Sequence, residues 1–115
     1  MNNTISIPEP LEKALQKTKT IWDTELSGKV ENSDDIKFFF EKSEFIPTNF
    51  QGILQYIKNQ YADGNPKMAT YIAEGMCTYM MYQHEIDTKN HNSLHRIAEQ
   101  FRCIKEIIVN PTQSK

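Results

Sequence analysis

The sequence predicts an all-α fold, a compact bundle of about five helices formed by a single domain, 1–115. Apolar residues recur every three or four positions along most of the chain, as they do in amphipathic helices. Glycine, proline and asparagine separate these segments after short intervals. A chain of 115 residues can bury a substantial core, and we expect flexible tails at 1–7 and 110–115.

The first predicted helix begins within 6–10 and ends at Gly28. Proline suits the first turn of a helix, and Glu9 and Glu12 interact favourably there with the helix dipole. Its apolar face consists of residues spaced by three and four: Leu11, Ala14, Leu15, Thr18, Ile21, Trp22 and Leu26. We expect Trp22, the largest of these side chains, to anchor the helix in the core.

The segment 33–42 predicts a short second helix, although its three consecutive phenylalanines also fit a strand. Ser33 is a suitable N-cap, and two acidic residues follow it in the first turn. We prefer the helix because no second strand is available elsewhere in the sequence to pair with this segment. The apolar connector 45–47 ends in proline and should terminate the helix.

The third predicted helix starts at a capping box formed by Thr48 and Gln51. Its narrow apolar stripe consists of Phe50, Ile53, Leu54, Ile57 and Tyr61. Gly64 should end the helix with a positive φ angle, and Pro66 suits the first turn of the next one. We therefore place the boundary between the third and fourth helices at 63–66.

The fourth predicted helix, about 66–86, has the widest apolar surface. One side carries Met68, Ala69, Ile72, Met76, Tyr79, Met80 and Ile86. Tyr71, Gly75 and Tyr82 extend this surface to an arc of about 200°. A helix with so broad an apolar surface needs two or more neighbours, so we expect it at the centre of the bundle.

The fifth predicted helix, about 93–109, has a single apolar face that consists of Leu94, Ile97, Ala98, Phe101, Ile104 and Ile108. A short polar link, 87–92, joins it to the fourth helix. Short links favour antiparallel neighbours. We therefore expect the fourth and fifth helices to form an antiparallel αα-hairpin.

The charge pattern disfavours nucleic-acid binding. The net charge is −2, from 13 basic and 15 acidic side chains without a cluster of either sign. A duplex-DNA binder normally has a clustered basic face. The N-terminus lacks the features of a signal peptide, and no apolar run approaches the about 18 residues of a membrane span. We expect no membrane association, a cytoplasmic location and, at Cys77 and Cys103, free buried thiols.

The histidines suggest a metal site that other features disfavour. His91, His95 and Glu99 are each four residues apart, so on one helix they share a face, as metal ligands do. However, 89–90 is a poor helix interior, which places His91 in the turn or at the first cap. We interpret these residues as ordinary surface groups and expect no metal. In the alternative hypothesis, a metal- or ligand-responsive helical sensor, the region of His84, His91 and His95 forms the binding site.

Three apolar residues lie away from the apolar stripe of their own helix. They are Tyr56 on the third helix, Met81 on the fourth and Ile107 on the fifth. Methionine and tyrosine recur in protein interfaces, and Tyr71 and Tyr82 belong to a helix rich in both. We predict that these five residues mark a protein-binding surface.

The sequence carries no catalytic or cofactor motif: no glycine-rich phosphate loop, no activated nucleophile and no paired metal-ligand signature. We therefore predict a non-enzymatic protein–protein interaction module without a cofactor. Its small size and its asparagine- and lysine-rich composition suit a regulator, inhibitor, immunity factor or chaperone-like accessory protein of bacterial or phage type, which binds a partner or forms a homodimer. The alternatives are a metal- or ligand-responsive helical sensor and, after it, a nucleic-acid-associated helical protein.

Overall fold

The computed structural model describes residues 7–26 and 50–110, which form four α-helices and one π-helical segment. The elements in chain order are α1 (Glu9–Ile21), the π-helical segment (Trp22–Leu26), α2 (Phe50–Ala62), α3 (Pro66–Ile86) and α4 (His91–Val109). No strand occurs within these ranges, which confirms the all-α prediction. The predicted second helix at 33–42, the signals at 28 and 45–48, and most of the predicted tails lie outside the described residues.

The aromatic core joins three elements that are far apart in sequence. Trp22 of the π-helical segment stacks on Phe50 of α2, with ring centroids 4.1 Å apart and planes 4° from parallel. Phe50 in turn meets Phe101 of α4 edge-to-face at 5.7 Å. All three side chains are buried, and Trp22 is 7% exposed, as expected of a core anchor. Aromatic pairs add stability beyond the apolar area that they bury.

α3 and α4 form the predicted αα-hairpin and share the most extensive helix contact among the described elements. The turn between them, 87–90, is organised by Asp87. Its carboxylate accepts hydrogen bonds from the backbone N–H groups of Lys89 (3.1 Å) and Asn90 (3.0 Å) and from the Asn90 side chain (3.1 Å). These bonds stabilise the charged form and hold the pKa of Asp87 below its usual value.

Ion pairs between helices show how the remaining elements pack. Lys105 of α4 reaches Glu74 of α3 at 3.5 Å, and Lys58 of α2 reaches Glu12 of α1 at 3.1 Å. α1 packs mainly against α4, whereas α3 contacts both α2 and α4. The centre of the bundle is therefore the α3–α4 pair and not the predicted fourth helix alone.

The buried faces of α2 and α4 match the sequence pattern, but that of α3 is narrower than predicted. The apolar positions of α4 that were predicted to face the core are all buried. In α3, Met68 and Ile86 are exposed, as are Tyr71 and Tyr82. The described neighbours of α3 therefore cover only part of its predicted apolar arc.

Gly64 terminates α2 as predicted, with a φ angle of 85°. Its N–H donates to the Tyr61 carbonyl (3.1 Å), and the Asn65 N–H donates to the Gln60 carbonyl (2.8 Å). This pair of bonds is a Schellman motif, which needs a residue in the left-handed region. Pro66 then occupies the first position of α3. The predicted boundary between these helices is confirmed.

Removal of the tryptophan side chain should strongly destabilise the protein. We expect Trp22→Ala to lower the free energy of unfolding by about 3–5 kcal/mol, the range for large aromatic truncations, because the stack on Phe50 is lost. Urea denaturation followed by circular dichroism measures this. Gln16→Ala, at an exposed position of α1, is the control and should stay within about 0.5 kcal/mol of the wild type. Native Trp22 emission resembling that of indole in water would contradict the buried placement.

Substitution of Gly64 should also destabilise, because alanine disfavours a positive φ angle. We expect Gly64→Ala to cost about 1 kcal/mol or more, measured by the same denaturation. Gly75→Ala is a matched control, since Gly75 lies inside α3, where alanine is the better helix former. A stabilising effect of Gly64→Ala would be incompatible with the left-handed terminator.

Candidate functional site

Three histidines converge where α3 meets α4. His84 lies in the last turn of α3, and His91 is the first residue of α4. Their Nε2 atoms are 3.0 Å apart, and their rings stack with centroids at 3.8 Å. The ring of His95, one turn further along α4, lies 5.3 Å from that of His84. We call His84, His91 and His95 the histidine cluster.

The sequence contained a signal for this cluster that the helical wheel does not reveal. His84 and His91 are placed on either side of the turn 87–90, so the hairpin folds them onto each other. Wheel positions compare residues within one helix only, so the sequence groups His84 with His91 and His95 as one region without indicating that the rings touch. The structure brings all three together.

The hydrogen bonds of the cluster define its tautomers. Nδ1 of His91 lies 3.3 Å from the backbone carbonyl of His84, and a carbonyl only accepts, so this nitrogen carries a proton. In neutral His91, Nε2 is then unprotonated and accepts from Nε2–H of His84. Nδ1 of His84 is consequently unprotonated, and it is inaccessible to solvent and has no hydrogen-bond partner among the described residues.

The electrostatic environment disfavours the charged form of His84. Desolvation is the main cause that lowers its pKa, and the nearby His91 and His95 add to the effect. Glu85 acts in the opposite direction and is the smallest influence. The cluster therefore holds His84 neutral at pH values where a free histidine takes up a proton.

The three metal candidates from the sequence do not share a common centre. Glu99 accepts hydrogen bonds from Arg102, the shorter at 2.6 Å, and this contact lowers the pKa of Glu99. Its second oxygen is 3.8 Å from Nε2 of His95, while His91 faces His84. Within 7–26 and 50–110, no group of three or more His, Cys, Asp and Glu side chains is arranged to hold a metal ion.

Both cysteines are free thiols, but neither is fully buried as predicted. Cys77 is half-buried, and burial raises its pKa, which disfavours the reactive thiolate. Cys103 is exposed, so the prediction of a buried thiol is wrong at this position. It lines the open groove between α1 and α4.

Tyr56, Met81 and Ile107 are half-buried and pack against the hydrophobic core. Ile107 lines the groove between α4 and α1. Glu99 and Arg102 of α4 influence the pKa of the Cys77 thiol, so Cys77 lies on the flank of α3 that faces α4. Met81 lies one turn after Cys77 and is therefore on the same flank. All three residues off their own stripes are thus partly covered within the molecule. Their role in binding stays a prediction, as does that of the two tyrosines.

A different set of apolar residues is exposed along one edge of α3. Tyr82 and Ile86 are each 60% exposed, and Met68 is 38% exposed. At 100° per residue, these positions fall within about 40° of one another, and Tyr71, 52% exposed, lies about 20° beyond them. We call Met68, Tyr71, Tyr82 and Ile86 the α3 edge. It includes two of the five residues that the sequence assigned to protein binding.

The clefts among the described residues are open grooves between helices. The groove between α1 and α2, about 400 Å³, is lined by charged and amide side chains such as Glu12, Lys19 and Lys58. The groove between α1 and α4, about 510 Å³, contains Lys13, Lys17 and Cys103. Both grooves are open to solvent, unlike the enclosed pocket of a typical small-molecule site.

Comparison with protein-family models, with curated proteins and with solved structures found no match for this chain. Among the described helices, none combines the length and the hydropathy of a membrane-spanning helix. The histidine cluster and the α3 edge are therefore the two features from which a function can be inferred.

Chelation should leave the stability of the protein unchanged. A structural metal contributes directly to folding stability, and the described side chains form no group that would hold one. We expect the same thermal midpoint before and after dialysis against EDTA, measured by circular dichroism on protein purified without a polyhistidine tag. A lower midpoint that Zn²⁺ restores would instead establish a metal site.

Proposed function

We propose that this chain is a non-enzymatic protein–protein interaction module that binds through the α3 edge. The observation that carries the proposal is the exposure of Tyr82 and Ile86, two large apolar side chains one turn apart on the same edge. Single exposed apolar residues are common, but an aligned row of them is a recurrent feature of binding surfaces. Tyrosine adds a large contact area and a polar tip.

Rigid support favours this edge as a binding surface. The opposite side of α3 is fixed in the core by Ile72, Met76 and Met80, which are almost fully buried. A partner therefore meets side chains on a helix that is already ordered, and binding loses little backbone entropy. Burial of the exposed parts of Tyr82 and Ile86 would contribute through the hydrophobic effect.

The occupant of the edge is either another protein or a second copy of this chain. A homodimer through a helix edge requires a self-complementary surface, in which each residue contacts its symmetry-related position. The row of apolar side chains meets this requirement when two α3 helices cross. A regulator, inhibitor, immunity factor or chaperone-like accessory protein of the cytoplasm fits the same surface, and the free thiols suit a reducing compartment.

A helical sensor is the second candidate function, and the histidine cluster favours it. His84 contacts His91 and lies 5.3 Å from His95, and such neighbouring imidazoles are responsive to a proton or to a polar ligand in a way that isolated surface histidines are not. This candidate concerns the hairpin end of the molecule, where Tyr82 and Ile86 of the α3 edge also lie.

A charge placed on the α3 edge should weaken association without affecting the fold. We expect Tyr82→Glu and Ile86→Glu to reduce binding by about 2 kcal/mol or more, because the carboxylate would be desolvated without a partner. Sedimentation velocity measures self-association, and pull-down from the native host measures partner capture. Gln16→Glu, the same charge change at an exposed position of α1, is the control.

The thermal stability of each variant separates binding from folding. Substitutions at exposed positions should stay within about 0.5 kcal/mol of the wild type. Unchanged sedimentation and unchanged partner capture in both edge variants, with the fold intact, would contradict the proposal. Met81→Glu is less informative, because Met81 packs against the core and its loss would also destabilise the fold.

A further inference from the structure

We propose that the histidine cluster makes the α3–α4 junction a proton-responsive element, closed while the imidazoles are neutral and loosened when one of the facing rings takes up a proton. The inference does not depend on the proposed function, because it concerns the stability of the hairpin end and not a partner. It rests on the hydrogen-bond geometry of His84 and His91.

Only one proton can lie between the Nε2 atoms of His84 and His91. The Nε2 atoms are 3.0 Å apart, so one nitrogen must donate and the other must accept. Nδ1 of His91 already donates to the backbone carbonyl of His84. A proton added to Nε2 of His91 would therefore place two N–H groups against each other and convert a hydrogen bond into a repulsive contact.

Protonation of Nδ1 of His84, the other unprotonated nitrogen of the pair, is equally unfavourable. A proton added to Nδ1 of His84 would create a donor at an atom that is inaccessible to solvent and that faces no acceptor among the described residues. A buried charged donor without an acceptor costs more free energy than a buried unprotonated nitrogen. His84 must therefore move away from its site when it becomes charged.

Most charged groups around the histidine cluster form hydrogen bonds or ion pairs with residues outside it. On the side of the π-helical segment, Glu25 accepts hydrogen bonds from Ser93 (2.6 Å) and Arg96 (2.6 Å). On α4, Glu99 is held by Arg102 while it also approaches His95.

In the turn, Asp87 accepts from Lys89 and Asn90. On α3, Glu85 favours the charged form of His84, but its effect is smaller than that of desolvation or of the other two histidines. Among the described residues, no carboxylate makes a hydrogen bond or an ion pair with His84 or His91 that would compensate a second proton in the pair.

The direction of the pH effect follows from the lowered pKa of His84. The open form has an ordinary histidine pKa of about 6.5 and takes up the proton first. The closed form binds the proton only at lower pH. The stabilisation of the junction is therefore fully present above that ordinary value and is lost as the pH falls below it.

The turn itself should persist while the rings separate. The pKa of Asp87 lies below its usual value, so its carboxylate remains charged throughout the histidine range and continues to accept from Asn90. The change is therefore confined to the end of α3 and the start of α4, where the imidazoles meet.

Nuclear magnetic resonance of the imidazole nitrogens in the wild-type protein tests the tautomers directly. At about pH 8 we expect His91 with its proton on Nδ1 and His84 with its proton on Nε2. On acidification, His84 should titrate below the about 6.5 of a free histidine. Amide exchange of Asp87 and Leu94, whose N–H groups donate at the end of α3 and the start of α4, should accelerate about threefold or more after correction for its intrinsic pH dependence. The opposite tautomer of His91, or an ordinary titration of His84, would overturn the proposal.

A pair of variants tests whether the contact causes the response. His84→Phe keeps an aromatic ring on His91 but removes the shared proton, so exchange of the Asp87 and Leu94 amides should depend on pH much less than in the wild type between about 7.5 and 5.5. His95→Gln, the control, keeps the facing pair and should retain the dependence. Because all 3 histidines of the chain belong to the cluster, no other histidine contributes. The same pH dependence in His84→Phe as in the wild type would reject the proposal, and if that variant fails to fold, the wild-type resonances decide.

Discussion

The stacked pair of Trp22 and Phe50 connects the N-terminal helical region to α2, where the contact between helices is small. α1 and α2 have a much smaller contact than the α3–α4, α1–α4 and α2–α3 pairs, and the ion pair between them, Lys58–Glu12, is exposed. Exposed pairs contribute little to stability. The aromatic stack, extended by Phe101, instead connects the N-terminal helical region to α2 and α4 through buried apolar surface. The position of α1 against α4 depends on this contact.

The α3–α4 hairpin provides the rigid frame for both functional features. Its apolar interior fixes the two helices, and the Asp87 turn sets their register. That register brings His84 onto His91, and it leaves one edge of α3 without cover from α4. The histidine cluster and the α3 edge therefore result from a single packing arrangement, although they belong to different proposals and involve different chemistry.

The sequence predicted what depends on local periodicity and local turn chemistry. The buried face of α4, the positive φ angle of Gly64 and the start of α3 at Pro66 each follow from spacing or from the properties of one residue. Contacts between helices were not predictable in this way. Met81 and Ile107 lie off their own stripes, yet both are partly covered within the molecule, and Cys103 is exposed because α1 leaves an open groove beside it. The π-helical widening at Trp22 also had no signal in the sequence.

The pairing of α1 with α4 has a consequence for synthesis on the ribosome. Glu25 and Arg96, which join the N-terminal helical region to α4, are separated by 71 residues. At translation rates of about 5–20 residues per second, α1 waits roughly 4–14 s for its main partner. During this interval, Leu11, Leu15 and Trp22 lack the α4 surface against which α1 packs. Slower translation between α1 and α4 would lengthen the time for which this apolar face of α1 stays uncovered.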